Sequence, residues 1–305
     1  MAGALQDKVV LITGSGRGIG QAIALECVRQ GAKVVVNDLG TSPRGEGADQ
    51  TPAHEVVRQI VAQGGRAVAN TDDVSTMAGA QRMVETALEE FGRLDVVVNN
   101  AGIVRDRMVF NMSEEEWDRV IAVHLKGTFA TTRAAAPLFR EQRAGCFINM
   151  TSTSGLIGNY GQANYGAAKL GIVALTRITA LEMAKYGVRA NAIAPFAWSR
   201  LIGTIPADDP RQQDRLQKLQ KMSPGKVAVV AAFLASEMAR DISGQVIGVR
   251  GDEVILFSLP WPVRTIHRHG GWSVETLAEI LPATWRHEFT PLQVTTDVFP
   301  YDPLV

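Results

Sequence analysis

Seven short apolar runs, separated by longer amphipathic stretches, constrain the fold of this chain more than any other feature. They are Lys8–Thr13, Ala32–Asn37, Arg66–Ala69, Leu94–Val98, Cys146–Met150, Val188–Ala194 and Gln245–Val249. Most are continuously apolar and β-branched, the pattern of a strand covered on both faces in a parallel sheet. Helical patterns lie between them at Gln21–Gln30, Val56–Gln63, Ala80–Phe91, Glu114–Arg140 and Tyr165–Tyr186. Ser113 and Glu116 stand at capping-box spacing ahead of the fourth. Such alternation predicts right-handed crossover units and an α/β doubly wound parallel sheet of about seven strands, with helices on both faces.

Two segments depart from this pattern. Gly40–Pro52 (GTSPRGEGADQTP) is a predicted loop after the second strand. From Ser258 the composition shifts to scattered Pro, Trp and His, with one short helical pattern at Val274–Ile280. The expected division is a domain over 1–257 and an irregular extension over 258–305, packed on that domain or on a neighbouring subunit. Lys and Arg number 31 and Asp and Glu 31, so no basic excess points to nucleic acid or an anionic membrane. Two cysteines, Cys27 and Cys146, argue against a disulfide framework and for a reducing compartment. The start of the chain shows no secretory pattern, and no apolar run reaches the ~18 residues of a membrane span. A cytoplasmic location is expected.

Thr13–Gly20 reads TGSGRGIG between the first strand and first helix. Its glycines let the backbone turn sharply and approach a pyrophosphate seated on the helix N-terminus. Alone, the turn could be an ordinary glycine-rich connection. Asp38 at the end of the second strand, where an acid can accept from adenosine ribose hydroxyls, makes it a Rossmann-type dinucleotide site.

With Asp73-Val74, NNAG at 99–102, Ser152, Tyr165-x-x-x-Lys169 and ISGQ at 242–245, the chain resembles the short-chain dehydrogenase/reductase family from about Lys8 to Val249. Within it, VNDLG (36–40), RAVAN (66–70), VHLKGTF (123–129) and GNYGQANY (158–165) resemble the hydroxyacyl-CoA dehydrogenase modules of peroxisomal multifunctional enzymes. The resemblance implies cofactor contacts from Gly14, Ser15, Arg17, Gly18, Ile19, Gly20, Asp38, Asp73, Val74, Asn100, Ala101, Gly102, Tyr165, Lys169, Pro195 and Ser199. It also implies a homodimer or homotetramer built on the helices after the fourth and fifth strands.

Tyr165 and Lys169 are four apart near a helix start and share a face. Alone they could be a packing pair; with Ser152 they form a proton-exchange set. An ammonium and a cationic nicotinamide would lower the phenol from about 10 toward neutrality. Tyr165 is then the expected general acid/base, and Ser152 holds the substrate oxygen. His124 stands where the family usually has a relay asparagine, and is read either as its substitute or as a core histidine. The usual Pro-Gly after the sixth strand is Pro195-Phe196, and Ser199 is the nearest hydroxyl for the carboxamide.

Arg17 could accept a 2′-phosphate, but Asp38 would repel it, so NAD is expected over NADP. His267, His269 and His287 lack metal-site spacing, so no metal is expected. The expected activity is hydride transfer between NAD and a secondary alcohol or ketone, and the resemblance implies a 3-hydroxyacyl-CoA thioester or a hydroxysteroid as substrate, with oxidation as the direction. The alternatives are an NADP-dependent ketoreductase and a non-catalytic dinucleotide sensor, which would need neither Tyr165 nor Lys169.

Overall fold

The computed structural model describes residues 3–196 and 222–305. Its strands are Val9–Thr13 (β1), Lys33–Asn37 (β2), Arg66–Asn70 (β3), Val96–Asn99 (β4), Gly145–Met150 (β5), Val188–Phe196 (β6) and Val246–Arg250 (β7). They pair in parallel in the order β3-β2-β1-β4-β5-β6-β7. An eighth strand, Glu253–Phe257 (β8), adds antiparallel to β7 at the edge. Only Gly251 and Asp252 separate the two, so EVILF reads in the sequence as a continuation of β7. Gly251 takes φ +59° in this turn.

Successive strand residues face opposite sides, and the core divides accordingly. Val10, Ile12, Val34 and Val36 pack against Gly18–Arg29 (α1), Thr51–Ala62 (α2) and a helix over Pro224–Ala235. Val9, Leu11, Val35 and Val97 pack against Met77–Phe91 (α3) and the helices that follow β4 and β5. Full burial of each such aliphatic side chain stabilises the fold by roughly 1.5–3 kcal/mol.

The stretch expected as one helix over Glu114–Arg140 is divided. Glu114–Ile121 (α4) opens with the anticipated Ser113/Glu116 capping box. A π turn over Ala122–Lys126 follows, then Gly127–Gln142 (α5). Such inserts often mark functional sites, and His124 lies inside this one. Beyond β5 come Thr153–Leu156 (α6), Ala163–Met183 (α7) and, after β6, the helix Pro224–Ala235 (α8). Strand order reverses between β1 and β4, which places the ligand crevice at the carboxyl ends of these strands.

The extension contains helices Val274–Trp285 (α9) and Thr295–Val298 (α10), the former longer than the pattern at Val274–Ile280. Its end returns to the domain. Thr295 N donates to Gly158 O (3.2 Å) and Asp252 N to Leu304 O (2.8 Å). The Arg250 guanidinium donates to the Tyr301 carbonyl, and Phe299 packs edge-on against Phe196 at 5.2 Å. Trp261, Phe289 and Leu292 stay exposed. Among the described residues no helix is long and apolar enough to cross a membrane.

Candidate active site

Between β1 and α1, Gly14 and Gly18 take φ +63° and +58°, conformations open chiefly to glycine. A Cβ at Gly14 would lie 2.7 Å from Ala101 Cα, and one at Gly20 only 2.3 Å from Gly14 O. Asn100 locks the turn from the next strand: its Nδ2 donates to Thr13 O (3.0 Å) and Gly14 O (2.8 Å). Thr13 Oγ1 accepts in return from Asn100 N and Ala101 N, both at 3.1 Å. The buried Ser15 hydroxyl donates inward to Ile12 O (2.8 Å). Ser15 and Gly20 therefore shape the turn from behind, while Gly14, Arg17, Gly18 and Ile19 line a cleft of about 690 Å³.

This cleft suits a dinucleotide. Among the described residues no side chain caps α1, and its first turn carries no acid, which leaves N–H groups and the positive end of the helix for an anion. Asp38 lines the same cleft. Its carboxylate accepts from Gly16 N (2.8 Å) and Gly40 N (2.7 Å), and a carboxylate has about four acceptor positions, so two remain for ribose hydroxyls. Asp73, Val74, Asn100, Ala101 and Gly102 continue the lining, and Pro195 stands at its far end. The Asp49 carboxyl is held below its usual range by Thr51, with a smaller contribution from the Arg17 charge.

The candidate catalytic side chains converge at the other end. Tyr165 lies in the first turn of α7, held by Asn164, which the sequence reading did not single out. Fully buried, Asn164 donates through Nδ2 to Arg105 O (3.0 Å) and Glu116 O (2.9 Å) and accepts from Tyr165 N (2.7 Å). One turn on, the buried Lys169 donates from Nζ to Met150 O (2.7 Å) and lies 5.4 Å from the Tyr165 ring centroid. Thr151 Oγ1 donates to Lys169 O (2.7 Å), tying α7 to the exit of β5. Ser152 is the N-cap of α6, accepting from Ser154 N (3.2 Å).

Burial sets the protonation states in the protein alone. The Tyr165 phenol is pushed up to about 12 by loss of water, with the Ser152 hydroxyl pulling it back and the Asp106 charge raising it further. Burial also lowers Lys169 to about 7. The expected fall of the tyrosine toward neutrality is thus absent from the protein by itself. It requires a fully charged Lys169 and a further cation in the cleft.

His124 is buried, and the imidazole is kept neutral, lowered to about 3 by desolvation first and the Lys169 charge second. Its Nε2 lies 3.0 Å from Ile103 N and 2.7 Å from Ile103 O, while Nδ1 has no partner among the described residues. The ring stands edge-on to Tyr165 at 5.1 Å. His124 therefore holds the backbone leaving β4 and packs against the tyrosine. Ser199 lies outside the described residues.

A glycine turn opening α1, an acid ending β2 and a Ser-Tyr-Lys set on one cleft define a dinucleotide-binding α/β oxidoreductase. The family model described as Enoyl-(Acyl carrier protein) reductase matches residues 14–251. Hydroxyacyl-CoA dehydrogenase ChsB1 of Mycobacterium tuberculosis is 41% identical over 290 residues, covering 91% of this chain and 88% of the relative. Mouse peroxisomal multifunctional enzyme type 2 is 43% identical over 237 residues, 78% of this chain and 31% of that larger protein. A crystal structure of a short chain dehydrogenase from Mycobacterium avium superposes with TM-score 0.84 at 41% identity, covering 96% of this chain and 99% of that one. The chain belongs to the short-chain dehydrogenase/reductase family and is an oxidoreductase acting on hydroxyl or keto groups.

Proposed function

We propose that the protein is an NAD-dependent dehydrogenase that oxidises a secondary alcohol, with 3-hydroxyacyl-CoA thioesters as its main substrate class and hydroxysteroids as a related one. The observation that carries this reading is a single cleft lined by Ser152, Tyr165 and Lys169 at one end and Asp38 at the other. The acyl-CoA class is supported by the name of the M. tuberculosis relative.

Bound nicotinamide dinucleotide would supply a hydride acceptor at ring C4 and, when oxidised, a positive charge. Gly14 to Ile19 and the start of α1 would hold its pyrophosphate, Asp38 its adenosine ribose, and Lys169 the other ribose. Ser152 Oγ orients the substrate hydroxyl. Tyr165 Oη would take the proton of that hydroxyl as the alcohol is oxidised to a ketone. The ammonium of Lys169 lowers the cost of the phenolate. Asp38 favours NAD because a 2′-phosphate there would set a dianion against a carboxylate.

A homodimer or homotetramer is supported by the exposed apolar residues Leu170, Ile178 and Leu181 on α7 and Phe129 on α5. The extension over 258–305 is proposed to border the substrate crevice, since Thr295 and Phe299 dock on Gly158 and Phe196. Its exposed Trp261 and Leu292 suit contact with a neighbouring subunit. A cytoplasmic location rests on the cysteine content.

The test is a dehydrogenase assay with NAD and NADP against 3-hydroxyacyl-CoA thioesters of increasing chain length, hydroxysteroids and small alcohols. NAD-linked oxidation of the thioesters is expected. Preference for NADP would turn the reading to a reductase, and NAD binding without turnover of any substrate would turn it to a sensor.

A further inference from the structure

The loop after β2 does more than connect it to α2. Because β2 and β4 flank β1, a segment running from the end of β2 to the chain leaving β4 must cross above β1, over the glycine turn. Residues 39–50 do this. Their neck is closed by Asp49 N donating to Leu39 O (3.0 Å), and their tip is tightened by Ser42 N donating to Glu46 O (2.8 Å). The tip is then gripped from the far bank by three bonds to its carbonyls. Val104 N donates to Pro43 O (3.0 Å), Arg105 Nε to Arg44 O (3.0 Å) and Arg119 Nη2, from α4, to Gly45 O (3.0 Å). Thr41, Ser42 and Pro43 line the cleft from this side, with Gly14 and Arg17 also in its lining.

We propose that residues 39–50 form a clasp over the bound dinucleotide, and that Arg105 and Arg119 are positioning residues that hold it shut. The proposal rests on the use of a nicotinamide dinucleotide argued above. A molecule reaching from Asp38 to Tyr165 passes beneath the clasp, so its exchange requires these three bonds to open. The seat of the clasp also reaches the chemistry. Gly45 is buried at φ +81°, and a Cβ there would stand 2.9 Å from Ile103 Cδ1. The backbone of Ile103 holds His124, and His124 packs on Tyr165. Closing the clasp therefore supports the segment that carries the wall of the catalytic tyrosine.

Arg44 at the exposed tip gives a readout independent of turnover. In the unmodified protein, saturating NAD should slow tryptic cleavage after Arg44 by about tenfold while cleavage after Arg240, 79% exposed and in the turn before β7, is unchanged. In stopped flow, NADH release followed by its fluorescence should speed up about tenfold in Arg119→Ala, the worth of one charge-assisted hydrogen bond. Arg119→Lys should recover part of the slow release, which a purely structural effect of losing the side chain does not predict. Gly45→Ala, which crowds Ile103 and strains a left-handed backbone, should release NADH faster by a second route. Equal cleavage after Arg44 with and without NAD, in a protein shown to bind NADH, overturns the clasp, as does unchanged release in Arg119→Ala and Gly45→Ala. Failure of the functional reading is a separate result: no binding of NADH or NADPH at all, which overturns both.

Discussion

His124 offers a test in which stability and mechanism separate. Its folded pKa of about 3 lies below the ordinary 6.5, so as the pH falls the unfolded chain takes up the proton first. The stability associated with the neutral ring is present above about 6.5 and is lost progressively as the pH drops toward about 3. Between about pH 7 and about pH 5 this one residue should cost the native state about 2 kcal/mol, from roughly 1.5 pH units of unmatched protonation at 1.36 kcal/mol each. His124→Asn removes that loss. A single Nε2 stands near both Ile103 N and Ile103 O and can serve one of them at a time, whereas a carboxamide can accept from the first and donate to the second. The extra bond, about 0.5–1.5 kcal/mol, offsets the lost edge-on contact with Tyr165, of similar size. The variant should match the natural protein near neutrality and exceed it in acid. His124→Leu also fails to titrate, but leaves the buried Ile103 groups unpaired and should be less stable at every pH by about 2 kcal/mol or more. Urea midpoints measured by circular dichroism across this pH range give the three curves, because other titrating groups contribute equally and cancel in the differences. Parallel curves for the natural protein and the asparagine variant would refute burial of a neutral imidazole. Activity divides the two roles considered for this residue: the asparagine variant should turn over well and the leucine variant poorly. Equal activity in both would leave His124 as packing alone.

Three further outcomes are expected. Tyr165→Phe keeps the ring on α7 but removes the proton acceptor, so turnover should drop by at least ~100-fold with NADH binding retained by fluorescence titration; retained turnover would remove Tyr165 from the chemistry. Asp38→Ala deletes both the ribose acceptor and the charge opposing a 2′-phosphate, so the NAD/NADP ratio of kcat/KM should shift toward NADP, and an unshifted ratio would move cofactor choice elsewhere. Deleting residues 262–305, which removes the contacts of Thr295 with Gly158 and of Phe299 with Phe196, should raise KM for long acyl thioesters while sparing NAD affinity. An unchanged KM in a folded truncation of unaltered oligomeric state would place the extension away from substrate.

What could be read from the sequence, and what could not, follows from which atoms do the work. The seven strands were legible because burial on both faces forces continuous apolar runs. β8 was not: it is an edge strand with Val254 and Leu256 exposed, two residues after β7, and looks like more of the same strand. The π turn at Ala122–Lys126 left no mark either, since one extra residue per turn does not disturb an apolar stripe enough to see. Ser152, Tyr165, Lys169 and Asp38, the proposed site residues, stand out in the sequence because each would act through a distinctive side chain at a diagnostic spacing, and the structure brings them to one cleft. The residues that position them act largely through the backbone: Met150 O receives Lys169, Ile103 holds His124 through N and O, and Pro43, Arg44 and Gly45 are gripped by their carbonyls. Every residue carries a carbonyl, so no residue type announces such a role. Asn164 is the informative exception, a buried side chain that pairs with two carbonyls and an N–H, and it stands beside Tyr165 in the sequence, where only a question about who satisfies the backbone at the start of α7 would have found it. In a fold whose chemistry sits at strand ends, the partners of the exposed backbone groups are therefore the place where sequence motifs stop and physical accounting has to begin.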